Sequence, residues 1–239
     1  RPAARLHATI DIISEIEEAI TTGGRPADSI VRLYFRARRY AGSKDRRFVR
    51  ELVFAVLRER ELLLWMIEAV GSEVSSRLIL LVYLKKTGDP LDLFGVDEPH
   101  APEAITNEEA KALSQLDSVP LVGTAWHVTH NVPSWASNKL KVRFGDVVEP
   151  AAKALNDRGS LNIRVNTLKT DRDTQMEGLS IAGYLVREGV YSNSALIAED
   201  AIPLATVAAY QDGLIEVQDE AAQIAVDLVP ISEDSNVLD

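Results

Sequence analysis

A chain of 239 residues, 46% apolar and 26% charged, has material for one or two packed domains, and at this length a chain buries roughly 70–75% of its unfolded surface without cross-links. Zero cysteines exclude disulfides, thiolate metal sites and a cysteine nucleophile within these residues. The net charge of −10 argues against a nucleic-acid partner on average, but between Arg32 and Arg60 ten Lys or Arg stand against three acids, a local +7 that leaves −17 on the rest.

In chain order, Leu6, Ile10, Ile13, Ile16 and Ile20 define one helical face that Gly23-Gly24 closes. Pro26 with Asp28 or Ser29 opens a second helix, with Ile30, Val31, Tyr34 and Phe35 inward. A third follows Gly42-Ser43, with Phe48, Val49, Leu52, Val53 and Val56 apolar; at about 100° per residue Arg46, Arg47, Arg50 and Arg58 fall on its opposite side. Two further helices are expected over 62–70 and 74–86, the latter closed by Gly88 with Lys85 and Lys86 in its last turn. Residues 1–88 thus read as an all-helical bundle.

Prolines at 90, 99, 102, 120 and 133 loosen the next stretch into a linker, in which Thr106 and Glu109 make a capping box for a short helix through Leu116. Trp135, Leu140 and Phe144 predict a helix stopped by Gly145, and 147–155 predict another. The period then changes. Leu161, Ile163 and Val165 alternate with Asn162, Arg164 and Asn166 as a strand, and Thr170 and Asp173 are set to cap a helix ending before Gly183. Short strands at 184–187, 195–198 and 214–217, a helix over 219–228 capped by Asp219, and an apolar strand at Asn236-Val237-Leu238-Asp239 complete the pattern.

Several candidates for chemistry are weighed against plainer roles. The arginines of the second and third helices could neutralise RNA phosphates or be solvated surface paired with acids. His127-x-x-His130 has ligand-like spacing without a third ligand, so no metal is expected. Trp65 and Trp135 read as core anchors, and Trp126 as a ring that can be exposed. Arg164 and Asn166 point away from the apolar face of their strand, toward RNA or a neighbouring domain. No apolar run is long enough for a membrane helix, and the start at Arg1-Pro2-Ala3-Ala4-Arg5 lacks the apolar core of a secretory signal, so the chain is expected in the cytoplasm, off the membrane.

Five segments, at 45–58, at 132–135 with 143–146, at 164–169, at 213–223 and at 237–239, together resemble the Sun (Fmu) group of S-adenosylmethionine-dependent RNA cytosine-5 methyltransferases. Asp45-Arg46-Arg47-Phe48-Val49-Arg50-Glu51-Leu52-Val53-Phe54-Ala55-Val56-Leu57-Arg58 resembles a helix of the NusB-like RNA-binding domain of its bacterial members. Val132-Pro133-Ser134-Trp135 with Arg143-Phe144-Gly145-Asp146 is similar to the Pro-x-Trp and aromatic-Gly elements that precede the group's small α+β domain, and Arg164-Val165-Asn166-Thr167-Leu168-Lys169 to that domain's most recognisable strand. Gly213 to Gln223 resembles the entry to the catalytic domain, and Val237-Leu238-Asp239 the first half of its cofactor motif.

The resemblance implies a fold of three parts: an all-α, NusB-like RNA-binding bundle with linker over 1–130, a small α+β domain over 131–218, and over 219–239 the first helix and strand of a Rossmann-like methyltransferase domain. It also implies small-subunit rRNA as partner, S-adenosyl-L-methionine as the parent enzyme's cofactor, and Arg32, Arg36, Arg39, Arg46, Arg47, Arg50 and Arg58 as RNA-binding residues. Two departures stand out. In the group, the aspartate matching Asp239 is followed by a Cys-Ala-Ala-Pro-Gly-Gly-Lys type loop that receives the cofactor, and later by two cysteines, one of which attacks carbon 6 of the pyrimidine so that carbon 5 becomes nucleophilic. None of these is present, so the chain is expected to stop before its catalytic domain, with Asp239 beginning a cofactor motif that is incomplete, and neither to bind the cofactor nor to methylate RNA. Residues 91–130 also lack the Asn-Ala-x-Leu-Arg helix that usually closes the NusB-like domain. The alternative is a stand-alone NusB-like adaptor that binds RNA without any enzyme attached.

Overall fold

A computed structural model describes residues 1–199, 202–230 and 235; the strand expected at 236–239 lies outside them. The chain divides into two compact units, residues 1–157 and 158–239. Among the described residues no helix is long and apolar enough to cross a membrane.

The first unit is helical: α1 (Pro2–Thr22), α2 (Ala27–Ala37), α3 (Ser43–Arg58), α4 (Arg60–Ala69) and α5 (Ser76–Thr87) form the bundle, followed by α6 (Asn107–Gln115), α7 (Trp126–Thr129), α8 (Ser134–Phe144) and α9 (Val148–Asn156). Its centre is α1, whose long run supplies two cores. Ile12 and Ile16 pack with Ile30, Val31, Phe35 and Val53 of α2 and α3, while Leu6 and Ile13 pack with Leu63, Ile67 and the buried run Leu78–Val82 of α4 and α5. A helix that is apolar on every side, as α5 is from Leu78 to Val82, belongs in the interior. The punctuation is as the sequence predicts: Gly23 and Gly88 end their helices in the left-handed region, at φ 71° and 76°.

Two expected core residues sit further out. Ile20 on the last turn of α1 is 54% exposed, and Phe48 is 42% exposed beneath the Arg5 guanidinium, 5.1 Å from its ring centroid.

Residues 89–133 are laid against the bundle, with Phe94, Leu113 and Leu116 in the same core as α5. Arg77 fastens them: its Nε donates to Glu109 Oε1 (2.7 Å), its Nη2 to the carbonyls of Glu103 (2.9 Å) and Ala104 (3.0 Å), and its guanidinium lies 5.1 Å from the Phe94 centroid. Glu109 is also the second half of the capping box with Thr106. At Gly95, φ 81°, any side chain would collide with Ala104, whose Cβ lies 2.7 Å from the point a Cβ would occupy. Further on, Asn131, at φ 49°, accepts the Leu62 N–H at the start of α4 (3.0 Å). Arg77→Ala is expected to lower stability by about 2 kcal/mol, since charged hydrogen bonds and carbonyls in a half-buried site lose their partner. Arg77→Lys should recover little of this because an ammonium cannot span the same fork; urea denaturation of the two variants checks it.

The second unit contains β1 (Leu161–Val165), α10 (Arg172–Ile181), β2 (Val186–Glu188), β3 (Ala195–Ala198), α11 (Ala208–Gln211), β4 (Ile215–Val217) and α12 (Glu220–Asp227). The sheet is antiparallel throughout in the order β2-β3-β1-β4, with Ile163 opposite both Leu196 and Val217. Ile163, Val165, Leu179, Leu196, Leu204 and Ile215 form its core. The cap of α10 is Asp171, which accepts the Thr174 N–H (2.8 Å), one residue on from the expected Thr170. Asp219 caps α12 as expected, accepting from Ala221 N.

Candidate nucleic-acid interface

The apolar residues of α2 recur at 30, 31, 34 and 35, which turns Arg32, Arg36 and, just past the helix end, Arg39 to the outside. On α3 the buried residues are Val49, Val53 and Val56, which leaves Arg46, Arg47 and Arg50 on the flank facing α2. The result is an open groove of about 930 Å³ between the two helices, bordered by those six arginines, with Val31, Phe35 and Phe54 at its floor and Asp28 at its rim. Six of the seven arginines singled out from the sequence thus come together. Arg58 does not: it is half-buried at the far end of α3, where its charge acts on the Tyr83 hydroxyl.

The six are not equivalent. Arg46 is turned inward, its Nε donating to the Ala41 carbonyl (2.7 Å) and its Nη2 to that of Arg39 (3.0 Å), so it closes the turn between α2 and α3. Arg47 pairs with Glu51 one turn along (2.9 Å), and Arg32 reaches the Ser29 hydroxyl (3.3 Å). Arg36, Arg39 and Arg50 are exposed, and among the described residues their guanidinium groups form no ion pair. Arg38 leaves the groove to lie 3.7 Å from the Tyr34 ring centroid, and burial together with the hydrogen bond that Tyr34 donates to Asp11 (2.9 Å) holds the Tyr34 hydroxyl protonated far into the alkaline range. Three uncompensated guanidiniums beside an apolar floor can meet phosphate oxygens in pairs, and a fork of donors suits that geometry.

The other candidates are engaged locally or displaced. Arg164 pairs with Glu216, its cross-strand neighbour, and Asn166 donates to the Gly213 carbonyl (3.1 Å) and accepts from Leu168 N (3.2 Å). His130 stacks on Trp126 with centroids 4.5 Å apart, and no group of three metal-ligating side chains occurs among the described residues. Trp135, expected in the core, is 73% exposed on α8. The signal for that was local charge: residues 134–144 hold Lys139, Lys141 and Arg143 and no acid, a composition unsuited to a buried helix.

Comparison with known proteins gives a consistent picture. Residues 132–205 match the family described as Methyltr_RsmF/B-like, ferredoxin-like domain. The chain is 30% identical to the ribosomal RNA small subunit methyltransferase B of Pseudomonas syringae pv. tomato over 53% of this chain and 27% of the relative. It is 25% identical to the protein of that name from Xylella fastidiosa over 82% and 49% of the two chains, and 26% identical to that of Citrobacter koseri over 82% and 50%. The chain therefore spans from about a quarter to half the length of these curated relatives. Among solved structures, the crystal structure of PH0851 superposes with a TM-score of 0.59 and 19% identity, covering 95% of this chain and 55% of that one, a likeness of fold.

Proposed function

We propose, of a chain related to the Sun (Fmu) type of small-subunit rRNA methyltransferase, that it is the RNA-holding part of an S-adenosylmethionine-dependent RNA cytosine-5 methyltransferase. In this reading residues 1–130 are a NusB-like RNA-binding domain, 131–218 the small α+β domain, and 219–239 lead into the catalytic domain. Arg32, Arg36, Arg39, Arg47 and Arg50 make up the basic surface that meets small-subunit rRNA, with Arg46 closing the turn behind them and Arg58 outside the groove, and the enzyme works in the cytoplasm. The observation that supports this best is the convergence of six of those arginines on one groove in a chain of net charge −10, because concentrating positive charge against the overall balance has an evident use in binding phosphates.

S-adenosylmethionine would supply the transferred methyl group in the parent enzyme, yet the described residues do not fit it. Nucleotide-type cofactors bind at the carboxyl ends of parallel strands beside a glycine-rich turn, whereas every strand pairing among the described residues is antiparallel. With no cysteine to add to the pyrimidine ring, this chain's own residues hold and orient RNA and take no covalent part. Calorimetric titration with S-adenosylmethionine should give no heat of binding at micromolar concentrations, while a small-subunit rRNA hairpin should bind with strong salt dependence. Micromolar uptake of the cofactor, or no affinity for RNA, would overturn the reading.

A further inference from the structure

The helix α8 is a second basic surface, and it carries an aromatic ring. At 100° per residue Trp135, Asn138, Lys139, Val142 and Arg143 share one side of it. Trp135 is 73% and Val142 88% exposed, and the Lys139 ammonium lies 5.7 Å from the indole centroid. Trp126 makes an instructive contrast, because its ring is already occupied by the stacked His130 and by Lys141, 4.9 Å from its centroid. No acid occurs between residues 134 and 144, and Asp146 follows only after Gly145, at φ 51°, has turned the chain.

An indole left in water beside the Lys139 ammonium is poorly explained by packing, and Arg143, further along the same side, lies over the Phe144 ring, 5.9 Å from its centroid. A dry apolar contact would desolvate Lys139 and Arg143 without a countercharge, since residues 134–144 hold no acid. A nucleobase offers the ring a flat apolar face, and the phosphates on either side of that base offer the cations their partners. We propose that this side of α8 binds unpaired RNA, with Trp135 stacked on a base and Lys139 and Arg143 on the adjacent phosphates. The inference rests on the RNA-holding reading of the chain and is independent of the arginine groove, which meets backbone phosphates whether or not bases are paired.

Fluorescence anisotropy of the whole chain with a labelled single-stranded uridine oligonucleotide and with a blunt RNA duplex tests it. Trp135→Ala should weaken the oligonucleotide about tenfold and leave the duplex unchanged, while Trp135→Phe keeps most of the affinity because a ring remains. Lys139→Gln combined with Arg143→Gln should lower the slope of log affinity against log salt for the oligonucleotide by about 1.4. Unchanged oligonucleotide binding in a Trp135→Ala chain with wild-type circular dichroism overturns the proposal. So does a Trp135→Ala chain that binds the oligonucleotide normally but loses self-association in sedimentation, since the face would then be a protein contact. If the wild type binds neither RNA, the RNA-holding reading falls as well. If the duplex binds and depends on the groove while the oligonucleotide ignores Trp135, only the inference about α8 fails.

Discussion

Replacing Arg36, Arg39 and Arg50 together by Gln should reduce affinity for a small-subunit rRNA hairpin by on the order of 10²–10³ at low salt and flatten the salt dependence by about 2–3 units of slope, as three lost phosphate contacts require. These three are chosen because their guanidinium groups are exposed in the groove and hold nothing else together. Substitutions at such sites usually move stability by no more than about 0.5 kcal/mol, so a binding loss cannot be mistaken for unfolding. Arg46→Gln separates the two effects from the other side. It removes two charged hydrogen bonds to the carbonyls of Ala41 and Arg39 and should cost about 1–2 kcal/mol of stability. Its effect on RNA should follow from loosening of the turn between α2 and α3. Binding measured across a salt series, with a urea curve for each variant, checks both. An unchanged slope in the triple variant would remove the groove from consideration as the RNA surface.

The difference between Arg46 and Arg50 marks where sequence reading stops. The i, i+4 spacing placed both opposite the apolar face of α3, and both do border the groove. Which of them is spent on backbone carbonyls depends on the path of the turn at residues 38–42, which periodicity does not encode. Trp135 is a different case: a tryptophan taken alone reads as core, while the cations Lys139, Lys141 and Arg143 on the same helix already pointed to an exposed face. Local grammar was more legible. The capping box at Thr106 and Glu109, the glycine stops at 23, 88 and 145, and the alternation of Leu161, Ile163 and Val165 are short-range rules that tertiary structure did not override. The region from 89 to 133 was hidden for the opposite reason, since its prolines suggest a loose chain while its attachment rests on tertiary contacts, Phe94, Leu113 and Leu116 in the core and Arg77 of α5 fastening it from outside.

Glu220 should be the residue on which the second unit depends most for its acid stability. It is 92% removed from solvent, and one carboxylate oxygen accepts the N–H groups of Tyr191 (2.6 Å) and Ser192 (2.9 Å), clasping the loop between β2 and β3 to the first turn of α12. Beside it, Gln223 accepts from the hydroxyls of Ser192 (3.2 Å) and Ser194 (3.0 Å). Gly189 completes the arrangement, since a Cβ there would stand 2.5 Å from Glu220 Oε1 and 2.4 Å from the Ala195 Cβ. The Ser192 N–H, and after it that of Tyr191, holds the Glu220 carboxyl below its ordinary value of 4.5. A depressed acid contributes stability that is fully present above its unfolded value and lost as the pH falls through the folded one. Glu220→Ala, which leaves two amides of that loop without an acceptor, should cost about 3 kcal/mol at neutral pH, equivalent to roughly 100-fold faster exchange of protected amides in β1 and β3. Glu220→Gln should cost less, and its difference from wild type should shrink as the pH is lowered below 4.5. Trp65, Trp126 and Trp135 all belong to the first unit, so the tryptophan-monitored urea transition should stay in place while exchange in the second unit accelerates. Equal penalties for Glu220→Gln at neutral and acid pH would show that the carboxylate charge contributes nothing and that the clasp is held by shape alone.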